Sequence, residues 1–472
     1  MNITETARSV WLLIFGKKLD KSLVDGNKLI EVWHDIYAGR PEWQTYTTQG
    51  IGGRKTVNRY LLNAGKIVTS ELAGLVFAEE PNITASDSIR EVLKYNKFSS
   101  NMQSWLDKGL ALGGGALKWV LRPGEPPIID YVTAPDFVPV SYDSRGISEA
   151  DFLSSVVNDG REYRVVEQHR KSEAGYTVSI KVYEKIILGG GEDYREVSPE
   201  RAGVSGGSVD VPVKLFEAWK NPEANNIDVY SPLGISIYAN ALDTLRQLDE
   251  AFDYLARELD TSRRKIIIDK SFLGAQYDSA KGKSQVYYNK NDEVYVAFDA
   301  AEKKDMAPTP IDFELRIDAI RATIQVLLAL LSKQCGLSDG FLSFDGVSMK
   351  TATEVISENS KTFRTKKNIE NSLTEVIVPF LSALLIIGGE YGVKVSAADK
   401  IAIEWDDSVI EDRNSRAKYY LDRLTAKAIS LEDALIGMDG LTKEEAKEKA
   451  DEIRAGNATV NVGDIFGDKG EL

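Results

Sequence analysis

Two apolar stripes at helical spacing, separated by a strand-patterned insert, constrain this chain more than any other feature. In "SPLGISIYANALDTLRQLDEAFDYLARELD" the residues Tyr238, Leu242, Leu245, Leu248, Phe252, Leu255 and Leu259 recur at steps of three and four, the period of one helix face. About 25 helical residues would extend roughly 38 Å. The second stripe opens at Thr309-Pro310, a hydroxyl cap followed by proline at the first helical position. It then runs Phe313, Ile317, Ile320, Ile324, Leu327 and Leu331 and stops at Gly336. This heptad-like alternation suits packing on another helix. Residues 263–308 between them carry strand patterns, "RKIIID" and the hairpin-like "SQVYYNKNDEVYVAF". A compact chain must fold the two helices back to back. Leu245 and Phe252 should then be buried against Ile320 and Ile324.

A third helical stretch is unusual. "SMKTATEVISENSKTFRTKKNIENSL", residues 348–373, has no Gly or Pro, and its large apolar residues after Met349 are few: Val355, Ile356, Phe363, Ile369 and Leu373. A helix this polar gains little from its own burial, so it should lie against copies of itself or bridge two regions. Its pattern continues through Pro379 to Leu385, which implies a kink near residue 375. Upstream, residues 1 to about 110 read as helical, and 117–220 alternate in short runs such as "LKWVL" and "YTVSIKVYEKIIL", a β-rich module. Downstream come the strand-like "VKVSAADKIAIEWDD" and two or three helices, with capping signals at "SLED" and "LTKEEA". The tail from Gly456 is rich in Gly, Asn and Asp and reads as disordered. The fold class is α+β, and 472 residues exceed one ordinary core.

Chemistry is sparse. A net charge of −14 argues against a DNA-coating protein, which needs a basic footprint, but leaves room for contact at a few placed lysines. The single cysteine, Cys335, excludes internal disulfides and Cys-based zinc sites and reads as a small buried hydrophobe. "VWLLIFG" is too short for a secretion signal, and "VIVPFLSALLIIGG" falls short of the ~20 residues that cross a bilayer. These features read as a soluble, cytoplasmic chain. His34 and His169 lack metal spacing. "GLALGGGALKW" lacks the Gly-Lys-Ser/Thr ending of a phosphate loop and reads as a helix end running into a strand. "EWDDS", with Glu411 and Asp412 beyond it, has no second cluster to make a nuclease. No enzyme, metal or cofactor is expected.

The order "SPLGISIYANALDTLRQLDEAFDYLARELD", β insert, heptad helix, "GLSDGFLSFDG" and "KTATEVISENSKTFRTKKNIENSL" resembles the portal proteins of long-tailed, siphovirus-type bacteriophages and prophages of Gram-positive hosts. Weaker echoes occur at "EVWHDIYAGRPEW", "AGKIVTSELAGLVFAEEP", "IEWDDSVIEDRNSR" and "LTKEEAKEKADEI". The resemblance implies a homo-oligomeric ring, commonly of twelve subunits, at one capsid vertex, through which double-stranded DNA is packaged and ejected. Implied partners are the terminase large subunit, the head–tail adaptor, and the major capsid and scaffolding proteins, with no membrane. The implied location is the virion, and the host cytoplasm during assembly.

The same resemblance implies a wing at 1–235, stem helices at 236–262 and 309–335, and a clip at 263–308. It further implies a channel loop at 336–349, a long kinked helix with wing return at 350–408, a crown at 409–455 and a tail at 456–472. Gly340, Phe341, Leu342, Phe344, Gly346 and Lys350 would form the channel loop. Lys361, Arg364, Lys366 and Lys367 would offer positive charge to the lumen. Lys281, Lys283, Lys290 and Asn291 would meet docking partners at the clip. On this reading the polar helix touches its neighbours' copies near a wet channel, and the acidic balance keeps DNA from being held. The alternative is a head-assembly, minor capsid or connector protein with no DNA passage; a packaging ATPase or nuclease lacks the phosphate loop.

Overall fold

The computed structural model describes residues 21–50, 53–188, 191–261, 265–269, 275–278, 283–286, 297–298, 309–311, 314–343, 360–396, 399–405, 413–439 and 443–458. Helices α1 (Lys21–Tyr37), α2 (Ala64–Val76), α3 (Asp87–Tyr95) and α4 (Phe98–Leu112) build the N-terminal part. Between α1 and α2 stands a hairpin, β1 (Thr45–Gly50) and β2 (Gly53–Asn58), in a region expected to be helical. Its Thr, Gln, Gly and Lys residues carry no apolar alternation to announce a strand pair. A short strand, β3 (Asn82–Thr84), precedes α3.

The glycine run after α4 behaves as expected. Gly113 ends the helix with φ 86°, and a Cβ there would lie 2.7 Å from the Gly234 carbonyl oxygen. Strand β4 (Gly114–Val120) follows at once and is central in a three-stranded sheet with β5 (Ile128–Thr133) and a later strand at Phe216–Lys220. Trp105 donates to the Val132 carbonyl at 2.8 Å, seating α4 on this sheet.

Next comes an antiparallel meander: β6 (Phe137–Asp143), β7 (Gly146–Asn158), β8 (Arg161–Ser172), β9 (Gly175–Leu188) and β10 (Gly191–Val197). Strand β11 (Gly207–Val211) pairs with β9 beyond the reach of β10, and β12 (Phe216–Lys220) returns to the small sheet. Asp159 and Gly160, with φ 48° and 73°, supply the two positive angles that a tight turn between β7 and β8 requires. The β-rich reading of 117–220 therefore holds.

Helices α5 (Leu242–Thr261) and α6 (Ile317–Gln334) are the two stripes. Both start later than expected. Ser231-Pro232 lies in an irregular turn, with Ser231 N–H donating to the Asp228 carbonyl, and a single 3-10 turn at Ala239–Ala241 leads into α5. Thr309-Pro310 belongs to strand β17 (Thr309–Ile311) rather than to a helix cap. That strand pairs with β13 (Lys265–Asp269), the first of four short strands in the insert, the others being β14 (Ala275–Asp278), β15 (Lys283–Val286) and β16 (Ala297–Phe298). Among the described residues β14 pairs antiparallel with β15 and β16 runs parallel to β13, while residues 287–296 of the expected hairpin lie outside the described residues.

Helix α7 (Ser360–Ile387) passes through Pro379. Proline removes the bond to the Glu375 carbonyl, and both residues face outward, where water can substitute. Its opposite face buries Ile369, Leu373, Ile377, Phe380, Leu381 and Leu384 in the main core. That burial makes this long apolar helix a core element. Trp119 lies flat on Phe380, with ring centroids 4.5 Å apart and planes 3° from parallel, and its indole donates to the Phe380 carbonyl at 2.9 Å. Strand β18 (Ala402–Glu404) pairs with β3, and helices α8 (Arg413–Thr425), α9 (Leu431–Asp439) and α10 (Lys443–Ala458) close the described chain. The "SLED" signal is a real cap: Asp433 N–H donates to Ser430 Oγ at 3.0 Å, while Ser430 Oγ donates to the Asp433 carboxylate at 2.7 Å.

Candidate functional site

Helices α5 and α6 pack against each other and run antiparallel, because the end of one meets the start of the other. Glu258, in the last turn of α5, accepts from Arg316 Nε at 3.1 Å and Nη2 at 2.8 Å, just before α6 begins. The Arg316 hydrogen bonds hold the Glu258 carboxyl below its ordinary range, against the upward push of burial. At the seam Leu245, Ile320 and Ile324 are buried, as expected. Phe252 lies on the same helix face as Leu245 and Leu248 but, nearer the Glu258 end, is only half-buried.

The insert strands therefore leave at the Glu258–Arg316 end, and the segment after α6 leaves at the other. That segment is tied down immediately. Gly336 takes φ 74°, and a Cβ there would lie 2.9 Å from Thr365 Oγ1. Thr365 Oγ1 donates to the Gly336 carbonyl at 2.6 Å. Ser338 N–H donates to Thr362 Oγ1 at 2.8 Å and Thr362 N–H donates back to Ser338 Oγ at 3.1 Å. Leu337 is fully buried. Phe341 and Leu342 rest half-buried on the chain's own core. Gly340 has φ 84° in an exposed turn. Phe344, Gly346 and Lys350 lie outside the described residues.

The four basic residues of α7 separate. Lys361 donates to the Lys333 carbonyl at 2.8 Å, in the last turn of α6, where a cation is favoured. Arg364 is exposed. Lys367 is half-exposed, 3.4 Å from Glu370. Lys366 departs from the expected lumen role: it is buried, with Nζ 2.6 Å from Glu370 Oε1, and Glu370 is also fully buried. At the clip, Lys283 opens β15, while Lys281, Lys290 and Asn291 lie outside the described residues.

Sequence reading missed the acidic edge of α5. Asp249 accepts from the Trp43 indole at 2.8 Å and from Leu62 N–H at 2.9 Å, and Asp253 accepts from Tyr60 N–H at 3.0 Å. Burial pushes the Asp249 carboxyl up despite these donors. The signal was an i, i+4 acidic pair bordering the apolar stripe. It also missed a buried polar group in the β-rich module. Lys118 Nζ lies 2.6 Å from Glu167 Oε2, and His169 Nε2 lies 2.8 Å from Glu167 Oε1. Burial pushes Glu167 up, but His169 and Lys118 outweigh it and hold the carboxyl at about 2. His169 is fully buried between Phe152 and Phe216, a structural position. Burial likewise pushes the Cys335 thiol well up, which makes it a poor nucleophile. Among the described residues no group of three or more His, Cys, Asp or Glu could hold a metal ion.

The described residues thus form a mixed fold with an antiparallel helix pair, insert strands at one end and an anchored turn at the other. The profile of the family described as "Phage portal protein, SPP1 Gp6-like" matches residues 27–459, and the chain belongs to that family. It is a portal protein, a connector at a capsid vertex. No curated protein matches it. Solved structures that align with it include a chain of the "Virion of native gene transfer agent (GTA) particle", at 12% identity, covering 80% of this chain and 89% of that one with a TM-score of 0.41. Another is a chain of the "Neck of native GTA particle computed with C12 symmetry", at 12% identity, covering 79% and 88% with a TM-score of 0.37.

Proposed function

We propose that this chain is the ring-forming subunit of the portal of a long-tailed phage or prophage of a Gram-positive host, passing double-stranded DNA during packaging and ejection. The ring holds twelve copies. The observation that carries the reading is the family match across residues 27–459. In this reading α5 and α6 form the stem. The insert at 263–308, with Lys281, Lys283, Lys290 and Asn291, docks the terminase large subunit and later the head–tail adaptor. The major capsid and scaffolding proteins meet the wing, and assembly takes place in the host cytoplasm. Residues 336–349 lie toward the channel, and Arg364 and Lys367 are the remaining candidates for contact with phosphates. Such contacts must break as DNA slides, so affinity for DNA is weak and fades with salt. The role is structural rather than catalytic.

Electron microscopy of the purified chain tests the reading. Rings with a central hole of ~20–25 Å or more, wide enough for a duplex, are expected. Assemblies without such a hole favour a head-assembly component that passes no DNA.

A further inference from the structure

Among the described residues the β1–β2 hairpin is held at its base by side-chain contacts with α5. Arg59 donates to Glu250 at 3.2 Å and Arg257 to the Asn58 carbonyl at 3.2 Å. The two guanidiniums lie over the Tyr46 ring, at 4.6 and 5.6 Å from its centroid. With the Trp43 and Tyr60 bonds to Asp249 and Asp253, these contacts fix the direction in which the hairpin leaves α5. Past that base, Thr47, Thr48, Gln49, Arg54, Lys55 and Thr56 are all exposed, and no third described strand joins the pair. A two-stranded ribbon with no buried face is marginal in water, and its edges are open to pairing.

Charge narrows the occupant. Residues 45–58 contain Arg54 and Lys55 and no acid, on a chain of net charge −14. Neither cation forms an ion pair with a described residue. The complementary feature is on the same chain. The outer edge of β10 and β11, which no described strand covers, carries Asp193, Glu196 and Asp210, while the one cation of these two strands, Arg195, is engaged with Glu184. Asp193, Glu196 and Asp210 are exposed.

We infer that the β1–β2 hairpin is an assembly arm that lies on a second copy of this chain, with Arg54 and Lys55 meeting the acidic β10–β11 edge of that copy. The arm and the edge are different patches of one sequence. Their contact is head-to-tail, the kind that closes into a ring when the rotation allows. The inference rests on the ring reading above.

The test is sedimentation velocity of the full chain, alongside R54E/K55E, D193K/E196K and the variant carrying all four changes. Circular dichroism should show each one folded, since all four side chains are exposed. Each pair of changes should weaken self-association by about tenfold or more, and the four-fold variant should recover it. If the unsubstituted chain forms rings and R54E/K55E forms them equally well, the arm is wrong and the ring reading stands. Loss of association without recovery in the four-fold variant overturns the β10–β11 edge as acceptor. If R54E/K55E loses DNA retention while assembling normally, the hairpin is a nucleic-acid contact and the inference fails. A chain that stays monomeric at every concentration removes the ring reading and the arm together.

Discussion

Glu258 and Arg316 are 58 positions apart in sequence, yet they meet through two charge-assisted hydrogen bonds that join the end of α5 to the start of α6. The insert between them enters and leaves through this clasp. Replacing Glu258 by Gln should lower the melting temperature by a few degrees and increase proteolysis within residues 262–313. The clasp needs the carboxylate, and Arg316 holds that carboxyl below its ordinary range. Its contribution is therefore complete above the ordinary glutamate pKa and fades as pH falls below it. Unchanged melting and proteolysis would show that the clasp is incidental.

Ile320 is buried in the α5–α6 seam. Ile320→Asp places an unpaired charge there and should cost about 4 kcal/mol, read by denaturant unfolding. Phe252→Ala, at a half-covered position, should cost clearly less. Equal losses would contradict the packing described.

The Lys366–Glu370 pair gives a prediction of opposite sign for one change and for two. Lys366→Met leaves the buried Glu370 carboxylate with only the more distant, half-exposed Lys367 and should destabilise by about 3 kcal/mol. The double variant K366M/E370L replaces the pair with apolar volume and should recover most of that loss. If Lys366 instead served DNA, the double variant would be stable and defective in packaging.

Glu167 makes acid stability a readout of the β-rich module. Its folded pKa is about 2 against an ordinary 4.5. The stabilisation it supplies is full above pH 4.5 and lost as pH falls through about 2, a difference of about 3 kcal/mol. Glu167→Gln should melt lower at neutral pH and lose less between those two values, because it no longer titrates. A variant whose melting curve parallels the unsubstituted chain across that window would show that Glu167 is not held ionised.

Replacing residues 339–347 by a glycine linker leaves Gly336 and Ser338 on their α7 partners. The variant should assemble as the unsubstituted chain does and package or retain DNA poorly. Full packaging would reduce the segment to a connector.

Elements with strong periodicity were legible from the residues alone. The α5 and α6 stripes, the β-rich module and the Ser430 cap each carry a local signal, and the structure contains them. What failed depended on partners distant in sequence. Thr309-Pro310 has the local chemistry of a cap, but pairing with Lys265–Ile267 makes it a strand. The polar face of α7 looked solvated because Lys366 and Glu370 are charged. Only the fold shows that they neutralise each other out of water. The β1–β2 hairpin carried no pattern because residues 47–49 and 53–56 are exposed on both faces. The functional reading came from the order of motifs along the chain, which survives such local errors.

The anchoring of α6 at both ends has a mechanical consequence. Arg316 fixes its first turn to α5, while Lys361, Thr362 and Thr365 fix its last turn and the residues after it to α7. Its 18 residues span about 27 Å. A helix so gripped cannot absorb a push by fraying at its tips. It works as a connecting rod: a displacement applied at the insert reaches Gly336 at nearly full length, and from there passes directly into α7.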